Sequence, residues 1–170
     1  MKIGMTYDLK SDWTQTDQDP VDACAELDSP ETIEHIAATF EGMGHQVRRI
    51  GNVKKLLACI HNLDVDIVFN MCEGRLGRNR ESQVPMLLEM YGIPYAGSDA
   101  LTLGVTLDKV TAKKCFVADG VPTPKFFEAR DARDIEKIDN LRFPLIVKAA
   151  CEGTSKGLTE KSRVEDFVAL

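Results

Sequence analysis

Between residues 2 and 96, short apolar runs alternate with segments whose apolar residues recur at helical spacing. This alternation constrains the fold more than any other feature of the sequence. Residues 2–7, Lys2-Ile3-Gly4-Met5-Thr6-Tyr7, read as a strand. Further strands are predicted over 46–50 and 65–70, with a short extended segment over 93–96. A helix opens at Ser29-Pro30-Glu31: a serine N-cap, a proline in the first turn, and an acid near the positive end of the dipole. Ile33, Ile36, Ala37 and Phe40 then fall at i, i+3, i+4 and i+7, one apolar face, before Gly42 and Gly44 close it. Helices over 53–62 (Leu56, Leu57, Ile60 inward) and 81–91 (Val84, Leu87, Leu88, Tyr91 on one side) complete the order β-α-β-α-β-α-β. Strands joined in this way cross over right-handedly and lie parallel.

The strand over 65–70 is apolar enough to be covered on both faces, as parallel sheets require. The polar segment 8–28, which holds the single tryptophan, Trp13, is long for a connection inside a compact domain, and such segments usually carry function. The first hundred residues thus read as one Rossmann-like α/β unit.

A connector is expected over 97–106, and the pattern changes beyond it. A basic helix is predicted over 108–117, closed by Asp119-Gly120. Val121-Pro122-Thr123-Pro124 forbids helix and extends the chain. Strands are then expected over 125–127 and 144–148, a short helix over 133–138, and the first turns of another helix over 164–170.

The net charge of −6 leaves no basic excess to displace counterions from a nucleic acid. No apolar run approaches the length that spans a bilayer, so neither a membrane nor nucleic acid is an expected partner. The five cysteines are scattered, without CxxC spacing, and read as small buried thiols of a reducing, cytoplasmic protein. The three histidines form no ligand-like cluster, so no metal ligand is assigned.

Three segments carry groups suited to chemistry. Lys148 ends a strand and is followed by Glu152-Gly153-Thr154-Ser155-Lys156-Gly157. This is not a Walker A loop, yet its glycines and hydroxyls suit an anion, with Lys148 as a point charge. An ordinary turn has the same composition. Lys109 and Lys113 share a helix face, as a phosphate contact or a solvated basic surface. Asn70-Met71-Cys72-Glu73-Gly74 stands at the carboxyl end of a parallel strand, where ligands of open α/β sheets bind. An exposed loop accounts for it as well.

The order of the segments says more than each alone. Gly92-Ile93-Pro94-Tyr95-Ala96-Gly97-Ser98-Asp99 precedes Leu107-Asp108-Lys109 and Lys113. Gly120-Val121-Pro122-Thr123-Pro124 follows, and then Phe143-Pro144-Leu145-Ile146-Val147-Lys148 with Glu152-Gly153-Thr154-Ser155 and Gly157. This succession resembles the D-alanine–D-alanine ligase family of ATP-grasp enzymes. The resemblance covers essentially the whole chain and is weakest over 8–28.

The resemblance implies a Rossmann-like pre-ATP-grasp domain over 1–100, then an incomplete α+β ATP-grasp central domain over 101–170. Lys109 and Lys148 match the two lysines that contact ATP, and Glu152, Gly153, Ser155 and Gly157 belong to the glycine-rich loop that closes over its phosphates. Thr154 stands where the family has a serine that places substrate. The implied reaction joins a carboxylate to an amine through an acyl phosphate, with ATP and magnesium as cofactors and small amino acids as substrates. The family is commonly dimeric through its N-terminal domain, so a homodimer is expected.

The departures from the family bear on substrate. Tyr7-Asp8-Leu9-Lys10 replaces the glycine-rich N-terminal loop with its ammonium-binding glutamate; Glu26 or Glu31 is a candidate substitute. Glu73-Gly74 stands where a His-Gly pair is usual, which marks Glu73 and Gly74 as substrate-binding candidates. Another amino acid is therefore as good an expectation as D-alanine. The family's magnesium ligands lie in a C-terminal domain that no residue here matches, so this polypeptide alone is expected to be inactive. The alternative is a non-catalytic Rossmann-like module binding a small molecule or a partner. A NAD-binding dehydrogenase domain is disfavoured, because no GxGxxG follows the first strand.

Overall fold

The computed structural model describes residues 1–14 and 16–170. It divides into two compact units, Met1–Leu107 and Asp108–Leu170.

In the first unit, β1 (Lys2–Thr6), β2 (Gln46–Gly51), β3 (Ile67–Asn70) and β4 (Tyr95–Ala96) form a parallel sheet in the order β2-β1-β3-β4. Side chains of successive strand residues point to opposite faces. Val68 accordingly packs with Leu56, Ile60, Val84 and Leu88 of one cluster, while its neighbour Phe69 packs on Met5, Ile33 and Ala37 of another. Both faces of β3 are covered, as its composition predicts.

The helices arise from local signals. α1 (Pro30–Gly42) is capped by Ser29, whose side chain accepts from Thr32 N at 3.2 Å, and it buries Ile33 and Ala37. α2 (Val53–Cys59) is capped by Asn52, which accepts from Lys54 N at 3.1 Å and Lys55 N at 3.2 Å. The predicted helix over 53–62 finishes as a 3₁₀ turn, Ile60–Asn62. α3 (Gln83–Met90) follows another 3₁₀ turn, Arg80–Ser82.

The expected connector over 97–106 is a helix, α4 (Ala100–Leu107). Its threonines and Gly104 weaken intrinsic helicity, which hides it from the sequence pattern. A local cap and a tertiary contact offset this. Asp99 Oδ1 accepts from Thr102 N at 2.7 Å, and Ser82 Oγ donates to Ala100 O at 2.6 Å. A Cβ on Gly104 would stand 3.1 Å from Ser82 Oγ, so the glycine permits this approach.

The long polar segment is tied to the sheet by its ends. Lys10 N donates to Asp28 O at 3.0 Å, and Asp28 N to Asp8 O at 2.8 Å. Leu27 is buried and fastens the return to the body of the unit.

In the second unit, α5 (Lys109–Ala118) is capped by Asp108, which accepts from Thr111 N at 2.9 Å. A 3₁₀ turn spans Ala132–Lys137 under an Asp131/Asp134 capping box. Two expectations fail here. Residues 125–127 join no sheet among the described residues, because no strand lies beside them to complete a ladder. Residues 164–170 do not begin a helix: Val164 belongs to β6 (Arg163–Val164), pairs antiparallel with β5 (Leu145–Ile146), and is buried. Beyond it, Asp166 Oδ1 accepts from Val168 N and Ala169 N, closing a turn. The strand expected over 144–148 keeps only the two residues that pair, with Val147 N donating to Ser162 O at 2.8 Å.

Candidate functional site

The anion-loop residues of the sequence reading lie within the second unit. The main chain of Lys109, at the first turn of α5, donates to Ala150 O at 2.9 Å, and its ammonium donates to the carbonyl of Glu152. The helix start and the loop, far apart in sequence, are thereby brought together. Along the loop, Thr154 (φ 44°), Ser155 (φ 59°) and Gly157 (φ 73°) all adopt left-handed backbone. That conformation is costly for a β-branched residue such as Thr154 and persists only where the surroundings impose it. Internal bonds impose part of it: Lys156 N donates to Gly153 O at 2.9 Å, and Leu158 N to Ser155 O at 3.0 Å.

Thr154, Ser155 and Gly157 are exposed; Glu152 and Gly153 are half-buried. Lys156 Nζ pairs with Glu152 Oε2 at 2.8 Å, a contact that the sequence motif did not suggest. The i, i+4 spacing was its only signal. Lys148 is exposed beyond β5, with no side-chain partner among the described residues. On α5, Lys113 Nζ donates to Thr123 Oγ1 at 2.7 Å and lies 5.2 Å from the Phe126 ring centroid. It braces the proline-rich turn rather than joining Lys109 at the loop.

The substrate candidates Glu73 and Gly74 lie in the first unit. From β1 the chain runs to β2 on one side and later to β3 on the other, so the switch point of the sheet falls between β1 and β3. Open α/β sheets bind ligands just beyond the carboxyl ends of strands at such a point. There, Asp8 Oδ2 accepts from Gly74 N at 2.9 Å in a buried contact, and Thr6 Oγ1 donates to Asn70 Oδ1 at 2.8 Å. Gly74 has φ 71°, and a Cβ added to it would lie 2.4 Å from Arg80 O, so glycine is required. Sequence reading missed Asp8; an aspartate directly after the first parallel strand is the signal that marks it.

Acidic groups surround Glu73. Burial raises its carboxyl to about 7, the negative charges of Glu81 and Glu26 add to the shift, and Arg80 opposes it. Arg80 reaches both carboxylate oxygens of Glu26, at 3.1 and 3.2 Å, and both side chains are nearly inaccessible (7% and 4%). Of the two candidate replacement acids, Glu26 is therefore the one held at the switch point. Glu31 lies in the first turn of α1, where its carboxyl is held below the usual range by main-chain hydrogen bonding at the helix start.

No family model matches the chain. Among curated proteins, it is 32% identical over 145 residues to a D-alanine–D-alanine ligase of Moorella thermoacetica, covering 79% of this chain and 46% of that protein. A D-alanine–D-alanine ligase of Xylella fastidiosa is 32% identical over 134 residues, covering 75% and 44%. Among solved structures, the D-alanine–D-alanine ligase of Bacillus anthracis superposes with a TM-score of 0.61 at 23% identity, covering 90% of this chain and 47% of that one. Its complex with ATP gives 0.59. At that identity the structural likeness is one of fold. The sequence likeness goes further: over three quarters of its own length the chain is similar to D-alanine–D-alanine ligases, and it spans somewhat less than half the length of those curated proteins.

Proposed function

We propose that these residues form part of an ATP-dependent carboxylate–amine ligase that joins two small amino acids through an acyl phosphate. One observation carries the reading: the Lys109 ammonium is docked on the glycine-rich loop at Glu152, with left-handed backbone over Thr154 and Ser155. Such a loop presents backbone N–H groups and hydroxyls to a phosphate, and Lys109 and Lys148 supply charge for it. A neighbour of the same fold is known in complex with ATP. ATP, when bound, supplies the phosphoryl group that activates the carboxylate. The residues of this chain bind and orient its phosphates, and a closed loop keeps water from the acyl phosphate.

The switch point between β1 and β3 is the proposed amino-acid subsite. Glu73 takes the substrate ammonium there, and Gly74, fixed by Asp8, holds the backbone approach. Thr154, on the loop of the second unit, is the proposed catalytic hydroxyl. By this reading the magnesium ligands belong to the remainder of the ligase fold, and magnesium is assigned to no residue of this chain. Turnover by this reading requires the remainder of the ligase fold, and a homodimer through the first unit accompanies it.

The test is phosphate release from ATP by a full-length ligase carrying these residues, screened across D- and L-amino acids. Release that depends on an amino acid, with a strongly raised ATP KM in Lys148→Ala, supports the reading. Release independent of every amino acid, or an unchanged KM, refutes it.

A further inference from the structure

Lys156, a residue the motif leaves unassigned, meets the carboxylate of Glu152 at 2.8 Å, while Lys109 meets the main-chain carbonyl of the same residue. Two ammonium groups from different parts of the unit thus converge on the oxygens of one residue. The second of these interactions is weakly held: the Glu152 side chain is 38% exposed, and partly exposed ion pairs at i, i+4 contribute little. Loop geometry fixes the main chain of Lys156 independently of the pair, since its N–H donates to Gly153 O after the left-handed Thr154 and Ser155. The Lys156 side chain itself is only 18% exposed, so its charge is set into the loop and not spread into solvent.

We propose that Lys156 is a further phosphate-binding residue and that Glu152 is its internal counter-ion. In this arrangement the Glu152 carboxylate occupies a position that a polyphosphate oxygen takes when a nucleotide binds. The multiply charged phosphate chain outcompetes a single half-exposed carboxylate for the ammonium, because charge-assisted contacts strengthen with the acceptor's charge. Lys109 and Lys156 then flank the chain, and Glu152 swings toward solvent. The inference rests on the reading of this loop as an ATP lid, and it extends that reading by naming a residue and an exchange of partners.

Titration of the full chain with inorganic tripolyphosphate and with a non-hydrolysable ATP analogue tests it. Lys156→Gln should weaken tripolyphosphate binding about tenfold, the loss of one charge-assisted contact, and Lys156→Arg should retain most of it. Glu152→Gln should strengthen binding about threefold, since the competing carboxylate is gone. The opposite signs separate this role from a structural one: if the pair merely held the loop's shape, both variants would weaken binding together, and the proposal would be wrong. Unchanged affinity in Lys156→Gln alongside weakened binding in Lys148→Gln would overturn the proposal and leave the ligase reading standing. Failure of the unaltered chain to bind either probe would overturn both.

Discussion

The carboxylate of Asp8, just past β1, accepts a hydrogen bond from the main chain of Gly74, just past β3, at 2.9 Å in the interior. This bond joins the two strand ends that flank the proposed amino-acid subsite. It also gives the acid that follows the first strand a structural role. A charged acceptor satisfies a buried N–H that would otherwise have no water available to it.

Gly74→Ala should destabilise the first unit by about 2–3 kcal/mol, because the new Cβ meets the Arg80 carbonyl and the backbone is left-handed. Urea denaturation with an unchanged m-value would record it. Asp8→Ala should lose about 1–3 kcal/mol through the stranded Gly74 N–H. A variant as stable as the parent would show that the bond does not organise the strand ends.

Removing Arg80 leaves Glu26 charged in a site where it is almost inaccessible. Arg80→Met should therefore cost about 3–5 kcal/mol at pH 8, and the double variant Arg80→Met/Glu26→Leu should recover much of that loss. Thermal denaturation of the two single variants and the double completes the cycle. Additive losses would mean that the pair is not coupled.

Glu73 makes stability depend on pH in a direction opposite to that of an ion-paired carboxylate. Its folded-state value of about 7 lies above the ordinary 4.5, so the folded protein holds a proton that the unfolded chain has released between those values. Where the folded state binds more protons, stability falls as pH rises. The expected loss therefore spans about pH 4.5 to 7 and is complete above it. Glu73→Gln should raise the melting temperature at pH 8 and change it little at pH 4.5. An equal shift at both values would place the effect elsewhere than in this titration.

The cysteines should differ sharply in reactivity. Burial, and next the charge of Asp8, push the Cys72 thiol far above its usual range, whereas Cys115 is exposed. Only the thiolate reacts. A thiol reagent at pH 8 should modify Cys115 in the folded protein and reach Cys72 only on unfolding, as mass spectrometry of labelled peptides would show.

Much of the fold was legible from local pattern. The serine and proline that open α1, the asparagine that caps α2 and the apolar runs of β1 to β3 act within a few residues of themselves. Periodicity reads such elements directly. The family motifs were legible for a related reason, because their spacing is carried by the chain. α4 was missed: its threonines and glycine masked the local cap that Asp99 supplies, and Ser82, which holds Ala100, lies 18 residues away in sequence. Residues 125–127 and 164–170 were misread because a strand exists only through its partner, and partnership lies outside any window of sequence.

The same division holds at the site. By itself the sequence determined which groups are available: the lysines, the glycine-rich loop, and the Glu73-Gly74 pair after the third strand. Only the tertiary structure decided their relations. It set Lys109 on the carbonyl of Glu152, Lys156 on its carboxylate, Asp8 on Gly74, and Arg80 on Glu26 beside Glu73. The physical reason is that local pattern reports what a residue can do. Burial and the charges that surround it depend on chain segments far away in sequence, and these set its protonation and its partner.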